Sequence, residues 1–188
     1  MNRVVLTYKD YEALPADGRR YEIHDGELSV TPAPNTEHQR VSRNLFVVLH
    51  RYVEERQLGE VLYAPIDVIL ADTSIVQPDI VFLDPSRSSA VSRRGIEGPP
   101  TLAVEIISPS TTGIDRTTKR QLYARYGVPY FWLVDPEARM IEALVLEAGT
   151  YARAVRASGQ RPVGLPPFPE LELVVDSLWP PAEPQGGS

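Results

Sequence analysis

The stretch LAVEIISPSTTGIDRTTKRQLYARYGVPYFWLVDP, Leu102 to Pro136, decides the fold. It opens on a run of Leu, Ala, Val and Ile that predicts a buried strand, turns helical from about Ile114 to Tyr126, and closes on a second strand, YFWLVDP. Gly127 is placed to end the helix in a left-handed conformation. Strand, helix and strand in succession predict a right-handed crossover. Glu105 stands inside the first strand, where an ionised group costs several kcal/mol unless it is paired, hydrogen-bonded or bound to a metal. At 100° per residue, Leu122, Tyr123 and Tyr126 define the inward stripe of the helix, and Asp115 and Lys119 fall within that arc. A surface Asp–Lys pair would normally sit opposite an apolar stripe, so Lys119 is predicted to reach toward the strand that carries Glu105.

Upstream, YEIHDGELSV, Tyr21 to Val30, has two alternating runs around Asp25-Gly26 and predicts a hairpin, because both central residues of such a turn need positive φ. Asn35 or Thr36 caps a helix running to about Glu55, with Val41, Leu45, Val48, Leu49 and Tyr52 as its apolar stripe. His38, in its first turn, shares the face of Val41, Leu45 and Tyr52. It is read either as a cap or satisfied core histidine, or as a group supporting a site. EVLYAPIDVIL and IVQPDIVFLD, joined by ADTS, predict two strands and a second hairpin. SRSSAVSRRGIEGPP reads as a mobile polar loop. MIEALVLE and YARAV close an antiparallel meander, a final element follows at ELELVVDSLW, and PPAEPQGGS is expected to be disordered. The expected fold is α/β (mixed α+β): a mixed sheet flanked by helices, with hairpins toward both termini. It is expected to form one domain over residues 1–179, with a tail at 180–188.

Composition narrows the function classes. With 43% hydrophobic and 23% charged residues, the chain is expected to be globular. It has no cysteine, so any metal must be held by Asp, Glu or His. Nothing in it resembles a signal peptide or a membrane span, and the cytoplasm is the expected location. A net charge of −6 excludes a global basic footprint, so contact with nucleic acid must rest on a local patch. Arg93 and Arg94 in the polar loop, with Arg116 and Arg120 on the outer edge of the crossover helix, are the candidates. Solvated surface arginines are the competing reading.

Along IVQPDIVF, alternation puts Ile75, Gln77, Asp79 and Val81 on one face; along TLAVEII it puts Thr101, Ala103, Glu105 and Ile107 on one face. Both acids are expected mid-strand. If the strands are neighbours, Asp79 and Glu105 converge, which suits a divalent cation better than two bare like charges. Asp67, a third strand acid, has the stronger case for a purely structural role.

In order along the chain, YKDYEALPADGRRYEIHDGEL, PAPNTEHQRVSRNL, QPDIVF and VEIISPSTTGIDRTTKRQLYARYGVPYFWLVDPEAR resemble the PD-(D/E)XK, restriction-endonuclease-like superfamily, and within it the bacterial Uma family. The resemblance covers nearly the whole chain. It implies that Pro78-Asp79 and Glu105 are the two acidic motif elements, that both carboxylates are ligands for Mg²⁺ or Mn²⁺, and that DNA is the substrate. The motif position two residues after the acid, which carries lysine in the standard pattern, is Ile107 here. Lys119 is the matching candidate from the following helix, with Asp115 positioning it. The leading reading is therefore a metal-dependent DNA endonuclease. The alternative is a non-catalytic interaction or assembly module that keeps the fold, with a homodimer as one form it could take. A glycosidase pair of carboxylates is weaker, because no aromatic-rich cleft signature accompanies it.

Overall fold

The computed structural model describes residues 4–108 and 113–180; the side chain of Asp115 and the tail beyond 180 lie outside the described residues. After a short helix α1 (Tyr8–Glu12), strands β1 (Arg20–His24) and β2 (Glu27–Thr31) form the expected hairpin. Asp25 and Gly26 take φ of 51° and 81° at its turn. Helix α2 (Thr36–Glu55) begins where the cap signal placed it: the Asn35 side chain accepts from His38 N at 2.8 Å.

The two long apolar runs do not each make one strand. They divide into β3 (Glu60–Tyr63), β4 (Val68–Ala71), β5 (Ser74–Val76) and β6 (Ile80–Leu83). The breaks fall at Ala64-Pro65 and Gln77-Pro78, where proline offers no N–H to a ladder. Each run thereby changes sheets. Residues expected to be a mobile loop instead form a 3₁₀ turn (Pro85–Ala90) and a small hairpin, β7 (Val91–Ser92) and β8 (Gly95–Glu97). Ile96 is fully buried and pairs with Val68 in β4, so one apolar side chain anchors this polar segment.

Downstream come β9 (Leu102–Ile106), a π-helical turn (Ile114–Lys119) continuing into α3 (Arg120–Arg125), and β10 (Tyr130–Asp135). The meander follows as β11 (Met140–Glu147) and β12 (Thr150–Ser158), then the hairpin β13 (Val163–Leu165) and β14 (Phe168–Leu173). One six-stranded sheet runs β12-β11-β10-β9-β6-β3, with β9 and β10 parallel and its other neighbours antiparallel. A second runs β2-β1-β5-β4-β8-β7. Parallel pairing of β9 and β10 requires the crossover that the helical segment supplies.

Both faces of the central strands are covered, which is why their sequences read as nearly continuous apolar runs. Leu102, Val104 and Ile106 of β9 pack toward Val41, Leu45 and Leu49 of α2 and the C-terminal Phe168. Ala103 and Ile107 pack on the opposite side with Leu122 and Tyr123 of α3. Strand alternation thus turns Glu105 toward the helix that carries Lys119.

Candidate active site

Asp79 occupies the step between the two sheets, after β5 and one residue before β6, and is not mid-strand. Its backbone is fixed on both sides: its N–H donates to Val104 O at 3.0 Å and its carbonyl accepts from Ala64 N at 2.9 Å. The carboxylate is 2% exposed. Oδ1 accepts from Arg20 Nη1 at 3.0 Å, and Oδ2 accepts from Ile106 N at 2.8 Å and from His38 Nε2 at 3.1 Å. Burial alone would raise the Asp79 carboxyl; the His38, Arg20 and Ile106 donors together outweigh it and hold it below the ordinary range. Because a carboxylate only accepts, His38 Nε2 must carry the proton. Its Nδ1 is buried with no hydrogen-bond partner among the described residues.

Glu105 meets the crossover helix. Lys119 Nζ donates to both of its oxygens at 3.1 Å, and Tyr123 Oη donates to Oε1 at 2.5 Å. Lys119 is 3% exposed, so the inward arc drawn from the sequence corresponds to a buried ammonium. The same ammonium reaches Glu22 Oε1 at 2.9 Å. Glu22, in β1, also accepts from Gln77 N at 2.6 Å and lies 3.1 Å from His24 Nε2. Burial pushes the Glu22 carboxyl up, but Lys119, then His24 and the Gln77 N–H, bring it well below its usual value.

Arg20, Glu22, His38, Asp79, Glu105 and Lys119 line one cavity of about 250 Å³. Counting His38 as neutral, the three acids and two cations of this set sum to −1. Sequence reasoning missed Glu22 and Arg20. Alternation along β1 puts Arg20, Glu22 and His24 on one face, and three ionisable side chains on one face of a strand was the available signal. What brings them here is the antiparallel pairing of Ile23 with Ile75, which docks the hairpin beside the Gln77-Pro78-Asp79 step.

Asp67 lies behind that step. Its Oδ1 accepts from Tyr11 Oη at 2.7 Å and from Gln77 Nε2 at 2.8 Å. Burial, and then the Asp67 carboxylate, raise the Tyr11 phenol and keep it protonated as a donor. Gln77 therefore joins Asp67 and Tyr11 on its side chain to Glu22 on its backbone.

The four candidate arginines do not gather at the cavity. Arg94 pairs with Glu97 at 3.5 Å and lies over the Tyr8 ring at 4.0 Å, while Arg93 is exposed. Arg116 pairs with Asp135 at 2.8 Å, and Arg120 Nη2 donates to the Tyr151 carbonyl at 2.8 Å. The last two tie the crossover helix to β10 and β12. The role expected of the Asp115 side chain lies outside the described residues.

A family model named Uma2 and described as "Putative restriction endonuclease" matches residues 8–176. The chain is also similar to a crystal structure described as "a putative nuclease belonging to DUF820" from Anabaena variabilis, with a TM-score of 0.74 at 19% identity. That likeness covers 92% of this chain and 97% of the other, and at such identity it shows a shared fold. Among curated proteins none matches. No helix of the described residues is long and apolar enough to cross a membrane.

Proposed function

The chain belongs to the Uma2 family, and from that premise we propose that it is a divalent-metal-dependent nuclease hydrolysing DNA phosphodiester bonds at the cavity between Asp79, Glu105 and Lys119. The observation that carries this reading is convergence. A strand junction, a strand and a crossover helix, far apart in sequence, deliver two carboxylates and a buried lysine to one cavity.

The donor set suits a hard cation. No group of three or more His, Asp or Glu side chains among the described residues is arranged to encage an ion. Mg²⁺ does not need a cage, because it is commonly held by one or two carboxylates and keeps several waters. Asp79 and Glu105 would hold it. The ion supplies activation of a water and neutralisation of phosphate charge. The remaining work falls to the chain. His38 and Arg20 orient Asp79, Tyr123 orients Glu105, and Lys119, held beside Glu105, would orient the attacking water or stabilise the charge that develops on phosphate. Glu22 keeps the Lys119 ammonium in place.

One observation favours a second reading. Asp79 is already met by Arg20 and His38, and Glu105 and Glu22 share Lys119, so each acid of the network has a partner from the chain itself, as a non-catalytic module that kept the fold would require. Plasmid nicking decides between them. Wild type with Mn²⁺ or Mg²⁺ should nick supercoiled DNA, and Asp79→Asn should be slower by about 10² or more with unchanged circular dichroism. Equal rates for the two proteins, or no metal-dependent cleavage of supercoiled, linear or single-stranded DNA by wild type, would overturn the nuclease reading.

A further inference from the structure

A second cavity, of about 360 Å³, adjoins the first and shares Arg20, His38 and Asp79 with it. Beyond the small or polar Gln39, Ser42 and Ala64, its wall is of another kind: Phe46 and Val47 from α2, Tyr63 from the end of β3, and Arg43. Tyr63 is 59% exposed and Val47 56% exposed. Together they make an apolar surface open to solvent in the cavity that Asp79 also lines. The Tyr63 ring lies 4.5 Å from the Phe46 ring, and Phe46 stacks on His50 at 5.4 Å, so the aromatic face is braced from behind.

The placement follows from the ladder. Tyr63 pairs with Ile80, and the next residue, Ala64, donates its N–H to the Asp79 carbonyl at 2.9 Å. The ring is therefore set within one residue step of the acid at the centre of the site. On α2, His38, Ser42 and Phe46 recur at helical spacing, so the side that supplies His38 to the site also supplies the aromatic floor about 12 Å farther along the axis.

A pocket with an exposed aromatic ring and an arginine in its wall, continuous with a site for a phosphodiester, fits a flat aromatic group carried on the sugar beside that phosphate. Resting on the nuclease reading above, we propose that this pocket receives an unpaired nucleobase of the strand being cut, stacked on Tyr63 beside Phe46 and Val47, with Arg43 against the backbone or the base plane. The substrate class follows. A base inside an intact duplex must be unstacked and unpaired before it can enter, and that cost is least for a single-stranded or mismatched base. The protein should therefore favour single-stranded or locally opened DNA over intact duplex.

Binding of the full chain to a short fluorescent single strand, followed by anisotropy in EDTA so that nothing is cleaved, tests this. Tyr63→Ala, at an exposed position, should weaken binding by between about fivefold and 150-fold, the range of one base–aromatic stack, and Tyr63→Phe should restore it. The same strand with one abasic position, scanned along its length, should at one register bind wild type as weakly as the intact strand binds Tyr63→Ala. That abasic strand should lose nothing further on Tyr63→Ala. Intact duplex should bind wild type more weakly than the single strand at equal salt. If Tyr63→Ala binds the intact strand as tightly as wild type does, or no abasic register matters, the pocket does not take a base. Cleavage by wild type together with that result would leave the nuclease reading standing and remove only this proposal. Tyr63-dependent, base-dependent binding by a protein that never cleaves DNA would do the reverse, and an absence of both binding and cleavage would remove both.

Discussion

The Lys119 ammonium stands 2.9 Å from Glu22 Oε1, so the lysine of the crossover helix is shared between an acid of the N-terminal hairpin and Glu105 of the central sheet. Neither acid has bulk water to fall back on. Replacing Lys119 by methionine keeps most of the packing and removes the ammonium that two buried carboxylates share.

Lys119→Met should therefore lose about 3–5 kcal/mol of stability, a fall in Tm on the order of 10 °C for a chain of this size. Lys119→Met with Glu22→Gln should recover part of that loss. Nicking should remain slower than wild type by about 10² to 10³ in both variants, because the group that meets developing phosphate charge is gone even where the fold is repaired. Scanning calorimetry and plasmid nicking read the two effects separately. Cleavage by the double variant at the wild-type rate would leave Lys119 as an ion-pair partner only.

Mg²⁺ or Mn²⁺ should raise the Tm of wild type, since an ion that binds only the folded state stabilises it by mass action, by about 2.7 kcal/mol at a hundredfold excess over Kd. Asp79→Ala, compared with its own metal-free sample, should show no shift. Lys119→Met should show a shift at least as large as wild type, because removing a cation beside the carboxylates removes repulsion toward the metal. Equal shifts in wild type and Asp79→Ala would place the ion elsewhere.

Local chemistry made much of this structure legible. The Asp25-Gly26 turn, the Asn35 cap and the inward face of Lys119 each depend on residues within one element, and each stands where the sequence indicated. The location of Asp79 was less visible. Alternation along IVQPDIVF runs straight through Pro78, but proline cannot donate to a ladder, and the acid sits where the chain leaves one sheet for the other. Glu22 carries only the weak signal of three ionisable side chains on one face of β1, because its partners, Lys119 and Gln77, reach it through the pairing of β1 with β5, which no periodicity within β1 encodes. The outer-edge reading of Arg116 and Arg120 failed to anticipate their partners for a similar reason: Asp135 and the Tyr151 carbonyl come from strands on the far side of the crossover.

Arg120 gives a direct check on that last point. Its guanidinium is committed to the Tyr151 carbonyl, a charge-assisted hydrogen bond worth about 1.5–3 kcal/mol. Arg120→Met should lower stability by that order and leave the salt dependence of DNA binding unchanged. A decrease of about one in the slope of log affinity against log salt, with stability intact, would instead make Arg120 a phosphate contact.

The acid limb of the stability curve should report Glu22. Its folded carboxyl titrates below the ordinary value of 4.5, chiefly because Lys119, and then His24 and the Gln77 N–H, overcome the opposing effect of burial. A depressed folded value means that the unfolded chain takes up the proton first as pH falls. The stabilisation is therefore complete above the ordinary carboxyl range and is lost as pH drops through that range toward the lower folded value. Asp79, also depressed, acts in the same direction. In EDTA, wild-type Tm should hold nearly level from pH 7 to about 5 as far as these two groups are concerned, then fall steeply below about 4.5. Glu22→Gln should start lower at pH 7 and fall less steeply, so that the two curves converge in acid. Parallel curves across the same range would mean that the Glu22–Lys119 contact contributes no proton linkage and that the hairpin is held to the site by other forces.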